Sequence, residues 1–225
     1  RDCAQLVRMV ENHKVDGVIL MRTFTEDAHV EYLKSQNIPF VTVGSSNYEG
    51  VVQVDNDHHA ACRELVSILL MKQMKRIGLI GGVETHVVTQ KRLQGYLDAH
   101  EQAGIPINKE IIHVNVEKEI MIERAVEKLL VEGVDCIVCM DDAVCIHVLN
   151  KLRKQKISIP AQMKVATFYD SSILENNLPS ITSLSFNARE LGTAACKILM
   201  ELIDGRTVKP RTLLGYEVIL KDSTK

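Results

Sequence analysis

Along the 225 residues, short apolar runs alternate with longer stretches in which apolar residues recur every three or four positions. VDGVILM (15–21), IPFVTVG (38–44), RIGLIGG (76–82), VDCIVCM (134–140) and KVATF (164–168) have the length and β-branched content of strands. Where such runs are apolar throughout, they suit strands covered on both faces. Further strands are expected at 111–116 and in the tail LLGYEVIL (213–220). Helices are expected at 2–13, 26–36, 58–73, 117–132, 142–155 and 187–204, the last stopped by Gly205. Another follows the strand of 76–80, with Leu93, Tyr96, Leu97 and His100 forming one stripe.

Strands alternating with helices predict parallel sheet wound by right-handed crossovers. About seven strands are too few for a barrel of eight pairs. An open, doubly wound α/β architecture follows, and the similar openings VDGVIL and VDCIVCM suggest two related lobes.

The stretch 76–105 organises the rest. Gly81-Gly82 lets the backbone leave the sheet at angles closed to residues with a Cβ. Arg92 then sits near the start of the next helix, beside a strand's carboxyl end, where open α/β sheets bind ligands. A guanidinium there can bond two neighbouring oxygens; the alternative is an Arg on a solvated helix face. Asp141-Asp142 directly follows a buried strand and opens a helix, so one carboxylate can cap while the other faces a ligand. Phe168-Tyr169-Asp170 closes the next strand in the same way, and ring faces beside carboxylate and Arg suit a sugar.

Composition narrows the chemistry. No apolar run is long enough to span a bilayer, the first residues do not read as a signal peptide, and a net charge of −2 offers no basic footprint for nucleic acid. The six cysteines lie mostly in apolar segments and read as reduced core thiols of a cytoplasmic protein. Cys136 and Cys139 are three apart on a strand and point to opposite faces, which argues against a shared metal. His58-His59 reads as a solvated helix start. No nucleophile elbow, P-loop or HExxH is present, and no cofactor is implied.

Taken together, VDGVILM, IPFVTVG, VDNDHHAACRELVSILL, KRIGLIGG, Arg92-Leu-Gln-Gly95-Tyr, the segment from CMDDAV to ATFYDS, and LPSITSLSFNARELG resemble the effector-binding core of LacI-family transcription regulators. The resemblance runs over nearly the whole chain. It implies the fold of type I periplasmic binding proteins: two lobes of doubly wound parallel sheet, residues 1–73 with 185–211 and residues 74–184 with 212–225. It implies a sugar-like effector bound between the lobes, by Arg92 of R-x-x-G-[FY] and Asp142 of the "ND" motif. Asp141 replaces that motif's Asn, and the strand end GFDD reads Thr167-Phe168-Tyr169-Asp170, so Tyr169 replaces a ligand-binding Asp. Asp57, with Asp55 as the alternative register, matches an Asp before the crossover helix. The candidate ligand-binding set is Arg92, Asp142, Tyr169, Phe168, Asp57 and Phe24, with no catalytic or metal site.

The resemblance further implies a homodimer that reaches DNA only through a head domain outside this chain. The chain opens on what would be the second helix of the core, leaving its first lobe incomplete. A solute-binding protein of a sugar transporter shares the fold and is the alternative. An α/β enzyme using Arg92 and Asp142 is the third reading, and it lacks a nucleophile with a base beside it.

Overall fold

The computed structural model describes residues 3–225. In chain order the elements are α1 (Ala4–Glu11), β1 (Val18–Leu20), α2 (Ala28–Ser35), β2 (Phe40–Val43), β3 (Gln53–Asn56), α3 (His58–Met71), β4 (Ile77–Ile80), α4 (Val87–Gln102) and β5 (Ile112–His113). There follow α5 (Glu119–Val131), β6 (Cys136–Cys139), α6 (Asp142–Lys154), β7 (Lys164–Thr167), α7 (Ser172–Glu175), β8 (Thr182–Ser185), α8 (Ala188–Ile203), β9 (Arg211–Leu214) and β10 (Glu217–Ile219). The expected first helix would begin at Asp2, outside the described residues.

The strands form two sheets, β1-β2-β3-β9 and β10-β8-β7-β6-β4-β5. Every pairing is parallel except β10 on β8. Parallel sheets wound by helices are the doubly wound α/β class that the alternation of strand and helix predicts.

The first unit comprises residues up to Asp57, Thr85–Val88 and Asn187–Gly215. Its sheet is packed by α8, whose Leu191, Ala195, Ile198 and Leu202 meet Ile19, Val41 and Val54. The second unit comprises His58–Glu84, Thr89–Phe186 and Tyr216–Lys225. Its sheet is covered on both faces, as the apolar runs require. Along β6 all four residues are buried. Ile137 and Cys139 join a cluster with Val126, Leu129, Val148 and Leu149 of α5 and α6. Cys136 and Val138 join another with Leu65, Leu69 and Tyr96 of α3 and α4. Cys136 and Cys139 therefore face opposite ways.

Three features differ from the sequence expectation. Residues 58–73 belong with the second unit, because the apolar stripe of α3 (Ala61, Leu65, Leu69) packs against Ile77 and Leu79 of β4. The single tail strand is two strands: β9 extends the first sheet beside β3, and β10 pairs with β8 in the second. Residues 212–215 accordingly lie with the first unit, and 185–186 with the second. Strand β8, TSLS, escapes the hydrophobic pattern because its buried positions include hydroxyls. Thr182 Oγ1 lies 2.6 Å from Thr224 Oγ1, and Ser183 Oγ donates to Asp170 at 2.9 Å, so burial leaves both satisfied. Of the six cysteines, Cys62, Cys136, Cys139 and Cys145 are buried, Cys3 is half-buried and Cys196 is exposed; all are free thiols.

Candidate functional site

In the second unit the carboxyl ends of β4, β6, β7 and β8 lead into Gly81-Gly82, Met140–Asp142, Phe168–Asp170 and Phe186. Gly81 and Gly82 adopt φ of +104° and +75°. A Cβ on Gly82 would stand 2.8 Å from the Thr89 side chain and 3.2 Å from Met140. The bare turn thus lets the first turns of α4 approach the end of β6, which brings Arg92 over it.

Arg92 is buried, 8% exposed, which excludes the solvated-face reading. Its Nη1 donates to the Met140 carbonyl, and its Nε is enclosed with no acceptor among the described residues. The guanidinium carbon lies 6.0 Å from the centroid of the Tyr169 ring, a cation–π distance. Tyr169 stacks on Phe186 at 6.2 Å and 19°. Phe186 in turn meets His58 at 4.7 Å. Burial holds the His58 pKa well below its usual value, and the Arg92 charge pushes in the same direction. His58 is therefore a buried neutral ring and not the solvated helix start expected from HH.

The two aspartates divide their work. Asp141 is the N-cap of α6, accepting from the Val144 N–H at 2.9 Å. Asp142 Oδ1 accepts from the Ala143 N–H at 2.9 Å, and its Oδ2 accepts from Ser171 Oγ. Asp170 is neutralised by Lys221 Nζ at 2.8 Å. Arg92, Asp142 and Tyr169 thus stand on three adjoining strand ends of one sheet, the placement open α/β sheets use for ligands.

Phe168 departs from the expected set. It is fully buried, packed with Met140, Ala166 and Leu184. As the residue after β7 it continues the strand's alternation into the core, so it supports the site from beneath and presents no face to a ligand. Phe24 and Asp57 belong to the first unit. Phe24 meets His86 edge-on at 5.0 Å and borders a hollow of about 580 Å³ with Glu26, His29, Glu31 and Thr85. Asp57 follows β3, its N–H donating to the Leu214 carbonyl at 3.2 Å. Asp55, its alternative, is buried and committed: Oδ2 accepts from the Ser45 N–H and hydroxyl, both at 2.7 Å, and Oδ1 from the Asn56 N–H at 2.8 Å.

Sequence reasoning did not single out Phe186 or Ser171, and it took His58 for a solvated residue. Phe186 stands just past a strand that was itself unreadable, and His58 is concealed by the polar pair it opens. Ser171 carried a usable signal, a hydroxyl residue two before the apolar Ile173, as an N-cap would be.

The family model of the periplasmic binding protein-like domain matches residues 66–224. The chain belongs to that family. Within it, the similar proteins are transcription regulators. The HTH-type transcriptional regulator RegA of Clostridium saccharobutylicum is 25% identical over 98% of this chain and 68% of its own length. A crystal structure described as transcriptional regulator LacI, from Bacillus cereus subsp. cytotoxis, superposes with a TM-score of 0.91 at 28% identity, covering 97% of this chain and 79% of that one. A complex of the transcriptional regulator CelR with cellobiose gives a TM-score of 0.88 at 25% identity, covering 97% and 69%. The chain covers the part of these LacI-family relatives that is their effector-binding core, and it spans about two-thirds of the length of the curated regulators it matches. Among the described residues of this core, no helix is long and apolar enough to cross a membrane.

Proposed function

We propose that the chain senses a small sugar or sugar-like effector for a cytoplasmic DNA-binding transcription regulator. Arg92, Asp142 and Tyr169 are the binding groups of the second unit, and Phe24 and Asp57 are the candidates of the first. The observation that carries the reading is Arg92, a guanidinium out of water at a strand's carboxyl end, with an aromatic face on one side and a hydrogen-bonded aspartate on a neighbouring strand end. Such a set matches the edges and faces of a polyhydroxylated ring. The relatives being regulators, one of them solved with cellobiose, supports this over the solute-carrier and enzyme readings. The working assembly proposed is a homodimer whose DNA contacts are made by residues outside this chain, and a chain of net charge −2 suits that division. Effector then regulates only through its different affinity for two conformations of the regulator.

A thermal-shift screen of monosaccharides, disaccharides and sugar phosphates tests the reading, followed by calorimetry on whatever raises the melting temperature. A specific sugar that binds the wild-type chain and fails to bind Arg92→Ala is expected. Unchanged binding in Arg92→Ala would place the site elsewhere.

A further inference from the structure

Given that effector-binding reading, the charge balance around Arg92 narrows the ligand class. A cation taken out of water is costly unless an anion or several acceptors compensate it. Arg92 is 8% exposed, yet it has no ion pair among the described residues. Its protein partners are one carbonyl, Met140, and the face of the Tyr169 ring, while its Nε is enclosed without an acceptor. The carboxylates on the adjoining strand ends are occupied elsewhere. Asp170 is paired with Lys221 at 2.8 Å and accepts from Ser183 at 2.9 Å. Asp141 caps α6, and Asp142 is held by Ser171 and its own helix. Position 169 is a tyrosine, so the strand end nearest the guanidinium offers Arg92 a ring face and not a carboxylate.

We infer that the effector is a polyhydroxylated anion, a sugar acid or a sugar phosphate. Its carboxylate or phosphate compensates Arg92, through the Nη2 edge that no protein group uses, and its hydroxyls reach Asp142 and Tyr169. Hydrogen bonds between a guanidinium and an anionic oxygen are roughly twice as strong as neutral ones. Asp142 sharpens the orientation: its own negative charge repels the ligand's anionic end and accepts from hydroxyls. A neutral sugar would leave the guanidinium without an ion pair.

The test is calorimetry on the 225-residue chain with pairs sharing one skeleton: glucose against gluconate, glucuronate and glucose 6-phosphate, and cellobiose against cellobionate. At least one anion is expected to bind ten times or more tighter than its neutral parent, with a preference that shrinks as salt is raised. The carboxylate and phosphate arms separate the two sources of anion. Arg92→Gln should abolish the preference. Tyr169→Asp, by adding a carboxylate beside Arg92, should weaken the anion at least tenfold and spare the neutral parent. Should Tyr169→Asp not fold, the wild-type ranking and Arg92→Gln decide the matter. Neutral parents binding as well as their anions, and weakened by Arg92→Gln, would overturn the anionic class and leave the effector site standing. Binding of every probe unaffected by Arg92→Gln would overturn both.

Discussion

The Ser171 hydroxyl donates to Oδ2 of Asp142, joining the loop after β7 to the first turn of α6. Asp142 is thereby aimed by a residue from a different strand end, and its orientation does not rest on its own helix alone. Removing the aim should cost less than removing the carboxylate. Ser171→Ala is expected to weaken effector binding by about 1 kcal/mol, roughly fivefold, and Asp142→Ala by about 1.5–3 kcal/mol. The double variant should cost less than the sum, because the two act as one unit. Calorimetry on the three variants checks this; strict additivity would show that Ser171 does not act through Asp142.

Tyr169 contributes a ring before it contributes a hydroxyl. The ring lies between Arg92 and Phe186, at 6.0 and 6.2 Å, and its hydroxyl has no partner among the described residues. Tyr169→Phe should therefore change affinity by less than about threefold, whereas Tyr169→Ala should lose about 1–3 kcal/mol of stacking and cation–π contact. A severe loss in Tyr169→Phe would mean that the hydroxyl, and not the ring, makes the main contact with the effector.

Two helical glycines should respond in opposite directions. A Cβ on Gly95 of α4 would fall 2.4 Å from the His59 carbonyl oxygen and 2.9 Å from the Arg63 nitrogen, both backbone atoms of α3. Gly95→Ala should force the two helices apart and destabilise the second unit by about 1–3 kcal/mol. Gly192 of α8 has nothing within 4 Å of its Cβ position. Gly192→Ala should stabilise by about 0.5–1 kcal/mol through helix propensity. Urea melts of the two variants give the signs directly.

Burial holds the pKa of His58, His100 and His113 below the ordinary 6.5. The Arg92 charge adds to the effect at His58, and Lys128 adds to it at His113. Each is neutral in the folded chain, so the unfolded chain binds more protons once the pH drops below about 6.5. Stability is then fully present above that value and is lost as the pH falls towards the lower folded values. The carboxylates held low, Asp98 by Gln94 and His59 and Glu123 by Lys154, act in a later window, below the ordinary 3.8 and 4.5 of the two residue types. The expected melting temperature is flat above about pH 7 and declines between about 6.5 and 5. A profile still flat at pH 5 would count against these three neutral histidines, and His58→Gln should make the decline shallower.

Legibility tracked burial chemistry. IGLI and CIVC read as strands because both of their faces meet apolar side chains, a condition that leaves no polar residue in the run. TSLS did not, because Thr182 and Ser183 satisfy their hydroxyls on partners 42 and 13 residues away. Arg92 and Asp142 were legible as positions, from their places after β4 and β6. The burial of Arg92 was not, since it depends on Met140 and Tyr169 from other strands. Phe168 and Tyr169 look equivalent side by side, yet one is core and the other faces Arg92.

Local pattern along the chain was enough for the class of fold, the order of most strands and helices, and the turn at Gly81-Gly82. These follow from local periodicity and backbone freedom, which travel with the residues. Packing between distant segments settled which sheet claims α3, where the tail divides between β9 and β10, that Asp55 is tied to Ser45, and that Arg92 lies buried without an ion pair among the described residues. Each of those depends on partners distant in the chain, whose approach no pattern of neighbouring residues records.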